Sequence, residues 1–129
     1  MKRPEFTLAD TGSFFAVLIF DKYVIKVPRD QGVDRARLER MARVQNELAQ
    51  TIPGILPCDL VSDCIVMARV PGERCDKLSK ELKTRANELA AQMAKQISAL
   101  GYSTAEMGKR NMFYDAQRDA IYFIDFHNI

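Results

Sequence analysis

The sequence predicts an α+β fold built around an antiparallel sheet, and three observations carry that reading. Residues 14–20 and 23–27 are apolar runs rich in β-branched and aromatic side chains, which suit strands. Residues 34–50 and 79–100 carry apolar side chains at helical spacing. The elements then follow the order strands, helix, strands, long helix, hairpin, which lacks the regular βαβ alternation of a parallel sheet. The 129 residues suit one domain, and a hydrophobic share of 47% is enough to build a packed core.

Taken in order, Phe14-Phe15-Ala16-Val17-Leu18-Ile19-Phe20 is the first strand. Asp21-Lys22 forms a two-residue turn, although it lacks the favoured glycine. Tyr23-Val24-Ile25-Lys26-Val27 returns as the second strand of a hairpin, stopped by Pro28. A helix starts at Asp34, a good N-cap, and runs to about Gln50, with Leu38, Met41, Val44 and Leu48 along one face. Pro53, Gly54 and Pro57 break the chain. Short strands at 59–61 and 64–68 are joined by Ser62-Asp63, and Pro71-Gly72 marks a turn. The longest helix runs from about Ser79 to Leu100, striped by Leu82, Ala86, Leu89, Met93, Ile97 and Leu100, with Gly101 as its C′ residue. A tail hairpin follows: Asn111-Met112-Phe113-Tyr114, a turn over 115–119, and a strand over 120–124.

Composition narrows the function classes. The net charge is only +2, from 19 basic and 17 acidic side chains mixed along the chain, so there is little electrostatic case for nucleic acid. Arg35, Arg37, Arg40 and Arg43 interleave with Asp34, Glu39 and Glu47, the pattern of a solvated helix face. Cys58, Cys64 and Cys75 form no C-x-x-C pair and His127 is the only histidine, which argues against a zinc site. The odd cysteine count and the absence of a signal peptide point to reduced thiols in a cytoplasm. No apolar run approaches the ~20 residues of a membrane span.

Several of these segments, in their order, resemble the protein-kinase superfamily in its bacterial kinase and aminoglycoside-phosphotransferase-like form. Val24-Ile25-Lys26 is similar to the kinase strand whose lysine contacts nucleotide phosphates. The segment from Cys64 through Met67-Ala68-Arg69-Val70 to Pro71-Gly72 resembles the hinge between lobes. Asn111, followed by the strand pair ending Ile124-Asp125-Phe126, resembles the catalytic-loop asparagine and the metal-binding D-F-G. The resemblance implies one minimal domain over 1–129, N-lobe-like over 1–70 and reduced C-lobe-like over 71–129, with most of the C-lobe missing. It implies ATP and Mg²⁺ as ligands: Lys26 and the loop at Gly12 on phosphates, the backbone of Ala68 and Val70 on adenine, and Asn111 and Asp125 on the metal. Glu39 or Glu47 would pair with Lys26, and Glu39 is preferred.

The pattern also departs from the family. Only Thr11-Gly12-Ser13 remains of the glycine-rich loop. Five positions before Asn111 stands Glu106 where an aspartate base is expected, with Lys109 beside it as a further cation. His127 replaces the glycine of D-F-G. The expected function is therefore Mg-ATP binding with weak or absent phosphotransfer to a protein or small-molecule hydroxyl. A nucleotide-free scaffold acting through protein contacts is the alternative, and a small nucleic-acid-binding protein a third reading. The stripe on the long helix further suggests a protein partner or a second copy docking on that helix and the C-terminus.

Overall fold

In the computed structural model, residues 7–10, 15–29, 34–104 and 107–124 are described. They contain β1 (Thr7–Asp10), β2 (Phe15–Ile19), β3 (Tyr23–Pro28), α1 (Arg35–Ala49), β4 (Cys58–Val61), β5 (Cys64–Ala68), β6 (Glu73–Arg74), α2 (Lys80–Ala99), β7 (Met112–Asp115) and β8 (Ala120–Phe123). Short 3-10 turns lie at Cys75–Lys77 and Lys109–Asn111. The architecture is α+β, with two antiparallel sheets: one of five strands in the order β1-β2-β3-β5-β4, and one of three in the order β6-β7-β8.

The β2–β3 hairpin closes as its sequence implies. Phe20 N–H donates to the Tyr23 carbonyl at 2.9 Å across Asp21-Lys22, and the Phe20 and Tyr23 rings stack with centroids 4.9 Å apart. β3 runs one residue further than expected and includes Pro28, whose partner is Phe15. Asp34 caps α1, its carboxylate accepting from Arg37 N–H at 2.8 Å. Ser79 caps α2, and Gly101 follows it with φ +90°, the left-handed conformation that closes a helix end. The edge of β4 is blunted by a side chain: Asn46 of α1 accepts from Cys58 N–H at 2.8 Å and donates to its carbonyl at 3.1 Å.

Two cores result. One gathers Leu38, Met41 and Ala42 of α1 against Val17, Val24, Ile65 and Met67 of the large sheet. The other joins Val44 and Leu48 of α1 to Ala86, Met93 and Ile97 of α2 and to the tail hairpin. The hairpin serves both. Met112, Tyr114, Ile121 and Phe123 enter the α2 core, while Phe113 and Ile124 enter the sheet core.

Much of the apolar stripe on the long helix packs within the chain. Met93, Ile97, Met112 and Phe113 are buried and the half-buried Leu82 and Leu89 pack against the core, while Leu100 is exposed. Ile129 lies outside the described residues.

An ion-pair network fastens the tail hairpin to α2. Arg85 donates to both oxygens of Asp119, the shortest contact being 2.6 Å, and Tyr114 Oη donates to Asp119 at 2.7 Å. These donors, Arg85 first, hold the Asp119 carboxyl down at about 2. A depressed carboxyl stabilises the fold above its unfolded pKa of about 3.9, and the contribution disappears as pH falls through the folded value. Asp119 sits at φ 49°, which asparagine tolerates, so Asp119→Asn isolates the charge. The variant should melt below wild type at pH 7, with the gap narrowing as pH drops from about 4 to about 2. Gly54 tests the packing of the same hairpin. Its carbonyl accepts from Phe123 N–H at 3.1 Å, and a Cβ there would strike the Ile121 carbonyl oxygen and Met93 Cε. Gly54→Ala should cost about 1–3 kcal/mol in chemical denaturation.

Candidate functional site

Strand parity sets the site. Phe15, Val17, Val24, Ile65 and Met67 share one face of the large sheet, following the pairings Val17↔Lys26, Lys26↔Ile65 and Val24↔Met67. Lys26 stands at the centre of that face and is fully buried. Its charge reaches Cys58, where it pulls the thiol pKa down against a larger upward push from burial that leaves it at about 11.

The same face is closed by the tail hairpin. Phe113 and Ile124 pack into the sheet core with Val17, Val24, Met67 and Val70. Asn111 anchors the hairpin from below, its carbonyl accepting from Ile124 N–H at 3.1 Å. Its side-chain Oδ1 is buried and accepts no hydrogen bond among the described residues. Oxygen donors of this kind suit Mg²⁺, which prefers hard ligands.

The segment that follows β5 offers backbone groups. Arg69 N–H donates to the Lys22 carbonyl at 3.0 Å, so Arg69 and Lys22 form a hydrogen-bonded pair. The alternation of an antiparallel ladder then turns the N–H and C=O of Ala68, paired with Tyr23, away from β3. On the other side β4 reaches only Met67, opposite Cys58. The polar groups of Ala68 thus lie past the end of the ladder, beside buried Val70.

Other candidates are placed elsewhere. Glu39, preferred from sequence as the partner of Lys26, is turned to solvent and pairs with Arg35 at 3.3 Å, its side chain 59% exposed. Glu47 is also exposed and accepts from Tyr102 Oη at 2.7 Å. The polar side chain that α1 turns inward is Gln45, 1% exposed, its Nε2 donating to the Leu56 carbonyl at 2.8 Å and reaching Met67 Sδ. The signal was present in the spacing, because Gln45 lies four residues after Met41 and three before Leu48, inside the buried stripe. Lys109 is exposed on the 3-10 turn before the hairpin. Gly12, Glu106, Asp125 and His127 lie outside the described residues.

No protein-family model and no curated protein sequence matches the chain. Among solved structures, the fold is similar to the Rad53 kinase, crystallised as residues 1-466 in complex with AMP-PNP, with a TM-score of 0.61 and 14% sequence identity. The match covers 96% of this chain and 39% of that one, so this chain spans well under half of its neighbour's length. A kinase-like arrangement of sheet, helices and hairpin is what this similarity supports.

The three thiols sit in different surroundings: Cys58 on the closed face, Cys75 in the α2 core and Cys64 outside both. Burial pushes Cys58 and Cys75 up to about 11, whereas Cys64 lies half-buried on the opposite face of the sheet. A thiol with a pKa near 11 is only about 0.1% thiolate at pH 8. Titration of native protein with a disulfide reagent at pH 8 should modify Cys64 first, with Cys58 and Cys75 at least tenfold slower until denaturant is added.

Proposed function

We propose that this chain is a kinase-like nucleotide-binding protein, holding Mg-ATP between the β2–β3 hairpin and the Asn111 segment, with weak or absent phosphotransfer. The observation that carries the reading is the placement of Lys26. It is fully buried on the sheet face that the Asn111 hairpin closes, so a positive charge is fixed on a rigid strand beside that hairpin. Lys26 would neutralise phosphate charge, the backbone of Ala68 and Val70 would meet the adenine edge, and Asn111 Oδ1 together with Asp125 would hold Mg²⁺. The metal would supply charge neutralisation on the phosphates. Glu106 would orient an acceptor hydroxyl, and Lys109 would add positive charge nearby.

Two observations argue for slow chemistry. The inward polar side chain of α1 is the amide Gln45, so this helix does not direct a carboxylate of Glu39 or Glu47 towards Lys26. Val17, Val24, Val70, Phe113 and Ile124 are each at most 8% exposed, so an adenine ring enters only if these side chains part. The same closure favours the second reading, a scaffold that binds no nucleotide. The nucleic-acid reading finds little support, because Arg35 is engaged by Glu39, Asp63 and the Ser62 carbonyl.

Thermal melting with and without millimolar Mg-ATP separates the readings. Ligand at 100 times its Kd adds about 2.7 kcal/mol of stability, so the wild-type transition should rise by several degrees. Lys26→Ala should abolish the rise, and Asn111→Ala should remove the part that depends on Mg²⁺. Phosphate release should stay below about 1 per second, under the ordinary kinase range. A wild-type melting curve unmoved by Mg-ATP assigns the scaffold reading instead.

A further inference from the structure

A cavity of about 380 Å³ opens between the turn at Pro71-Gly72, the start of α2 and the loop that joins β7 to β8. Its size falls within the range of small-ligand pockets, about 300–1,000 Å³. The parity of β7 separates it from Lys26. Tyr114 lines the cavity and enters the α2 core, while its neighbour Phe113 faces the large sheet. The lining is of two kinds. Pro71, Leu78, Leu82 and Tyr114 are apolar, and Leu78 and Tyr114 are buried. Glu73, Asp115 and Arg118 bring charged groups to the same space.

The charges do not balance. Asp115 is 6% exposed, and its Oδ2 accepts from Arg118 Nη1 at 2.7 Å while its Oδ1 accepts from Gln117 N–H at 3.1 Å. Within the Asp115–Arg118 pair the charges cancel. A carboxylate has about four acceptor sites and Asp115 uses two, so it keeps capacity for a further donor. Glu73 is exposed and enters none of the ion pairs among the described residues. The lining thus carries one uncompensated negative charge beside apolar walls. Those walls are fixed in advance. Tyr114 Oη donates to Asp119, which Arg85 of α2 holds in turn. Glu73 is set by its ladder pairing with Tyr114, and Gly72, at φ +95°, passes so close to the Tyr114 carbonyl that a Cβ would strike it. A site that is already formed loses little affinity to the ordering of its own side chains.

We propose that this cavity binds a small organic monocation, an ammonium group on an aryl or alkyl body. The ammonium meets Glu73 and Asp115, and the body lies against Leu78, Leu82 and Tyr114, whose ring also attracts a cation. A neutral molecule of the same shape leaves the Glu73 charge uncompensated. An organic anion meets two carboxylates and one guanidinium, a net repulsion. The volume matches a whole small molecule, so a free amine is the occupant. The proposal does not depend on nucleotide binding, because the cavity and Lys26 lie on opposite sides of β7.

Two-dimensional amide NMR of the wild type, titrated with phenethylammonium to about 10 mM, tests it. Shift changes are expected at residues 72–73 and 115–118, with residues 24–26 unmoved. The neutral analogue 2-phenylethanol should bind at least about threefold more weakly, and 3-phenylpropionate more weakly still. Glu73→Gln should weaken phenethylammonium by a similar factor and leave the alcohol unchanged, the mark of a charge contact. Ala116→Trp adds bulk at an exposed position of the lining and should abolish binding of both. The absence of shift changes at these residues by about 10 mM overturns the proposal. So does equal affinity for amine and alcohol, or amine binding unaltered in Glu73→Gln or in Ala116→Trp. Binding of N-acetyl-Leu-Lys-Leu-amide more than about tenfold tighter than phenethylammonium overturns the free amine as occupant and assigns the cavity to a peptide.

Discussion

Lys26 sets the constraint to which the rest of the fold answers. Its side chain is taken out of water in the middle of a sheet face otherwise lined by Val17, Val24, Ile65 and Met67. An ammonium in such surroundings costs several kcal/mol unless charge or oxygen atoms reach it. The elements that close this face, α1 and the tail hairpin, therefore do more than cover apolar area. They enclose a cation, and the nearest consequence is visible at Cys58, whose thiol is drawn down by that charge while burial pushes it up.

The tail hairpin makes the enclosure possible because it is apolar on both sides. All four residues of β7 are buried, with Met112 and Tyr114 facing α2 and Phe113 facing the large sheet. A four-residue strand with alternating faces thus serves as a partition between two cores. Helix α1 bridges the cores in the same way, contributing Leu38 and Met41 to one and Val44 and Leu48 to the other. The polar fastenings sit at the margins: Arg85 and Tyr114 on Asp119, Tyr102 on Glu47, and Asn46 on the edge of β4. All but the Tyr114 bond, which closes its own hairpin, join different elements, and each is exposed or partly so. They add orientation, while the apolar partition supplies most of the adhesion.

Much of this was legible from the chain alone. The strands at β2, β3, β4 and β5, both helices, the cap at Asp34 and the tail hairpin all follow from periodicity and turn chemistry, because these are local properties of a few adjacent residues. Strand β6 was not legible. Two residues, Glu73 and Arg74, carry no pattern, and only their pairing with Tyr114 and Phe113 makes them a strand. The inward polar residue of α1 was missed for a related reason. Hydropathy cannot see that an amide belongs to a buried stripe, so the acidic residues of α1 drew attention while Gln45 occupied the inward position.

The sequence by itself determined the class of fold and the order of its longer strands and helices, since each rests on side-chain type and short-range spacing. Only the tertiary structure decided which face of the sheet encloses Lys26, which polar group of α1 turns inward, and that much of the stripe of α2 packs within the chain. Those outcomes depend on which distant segments meet, and contact between residues tens of positions apart is set by the packing of whole surfaces, which no local pattern encodes.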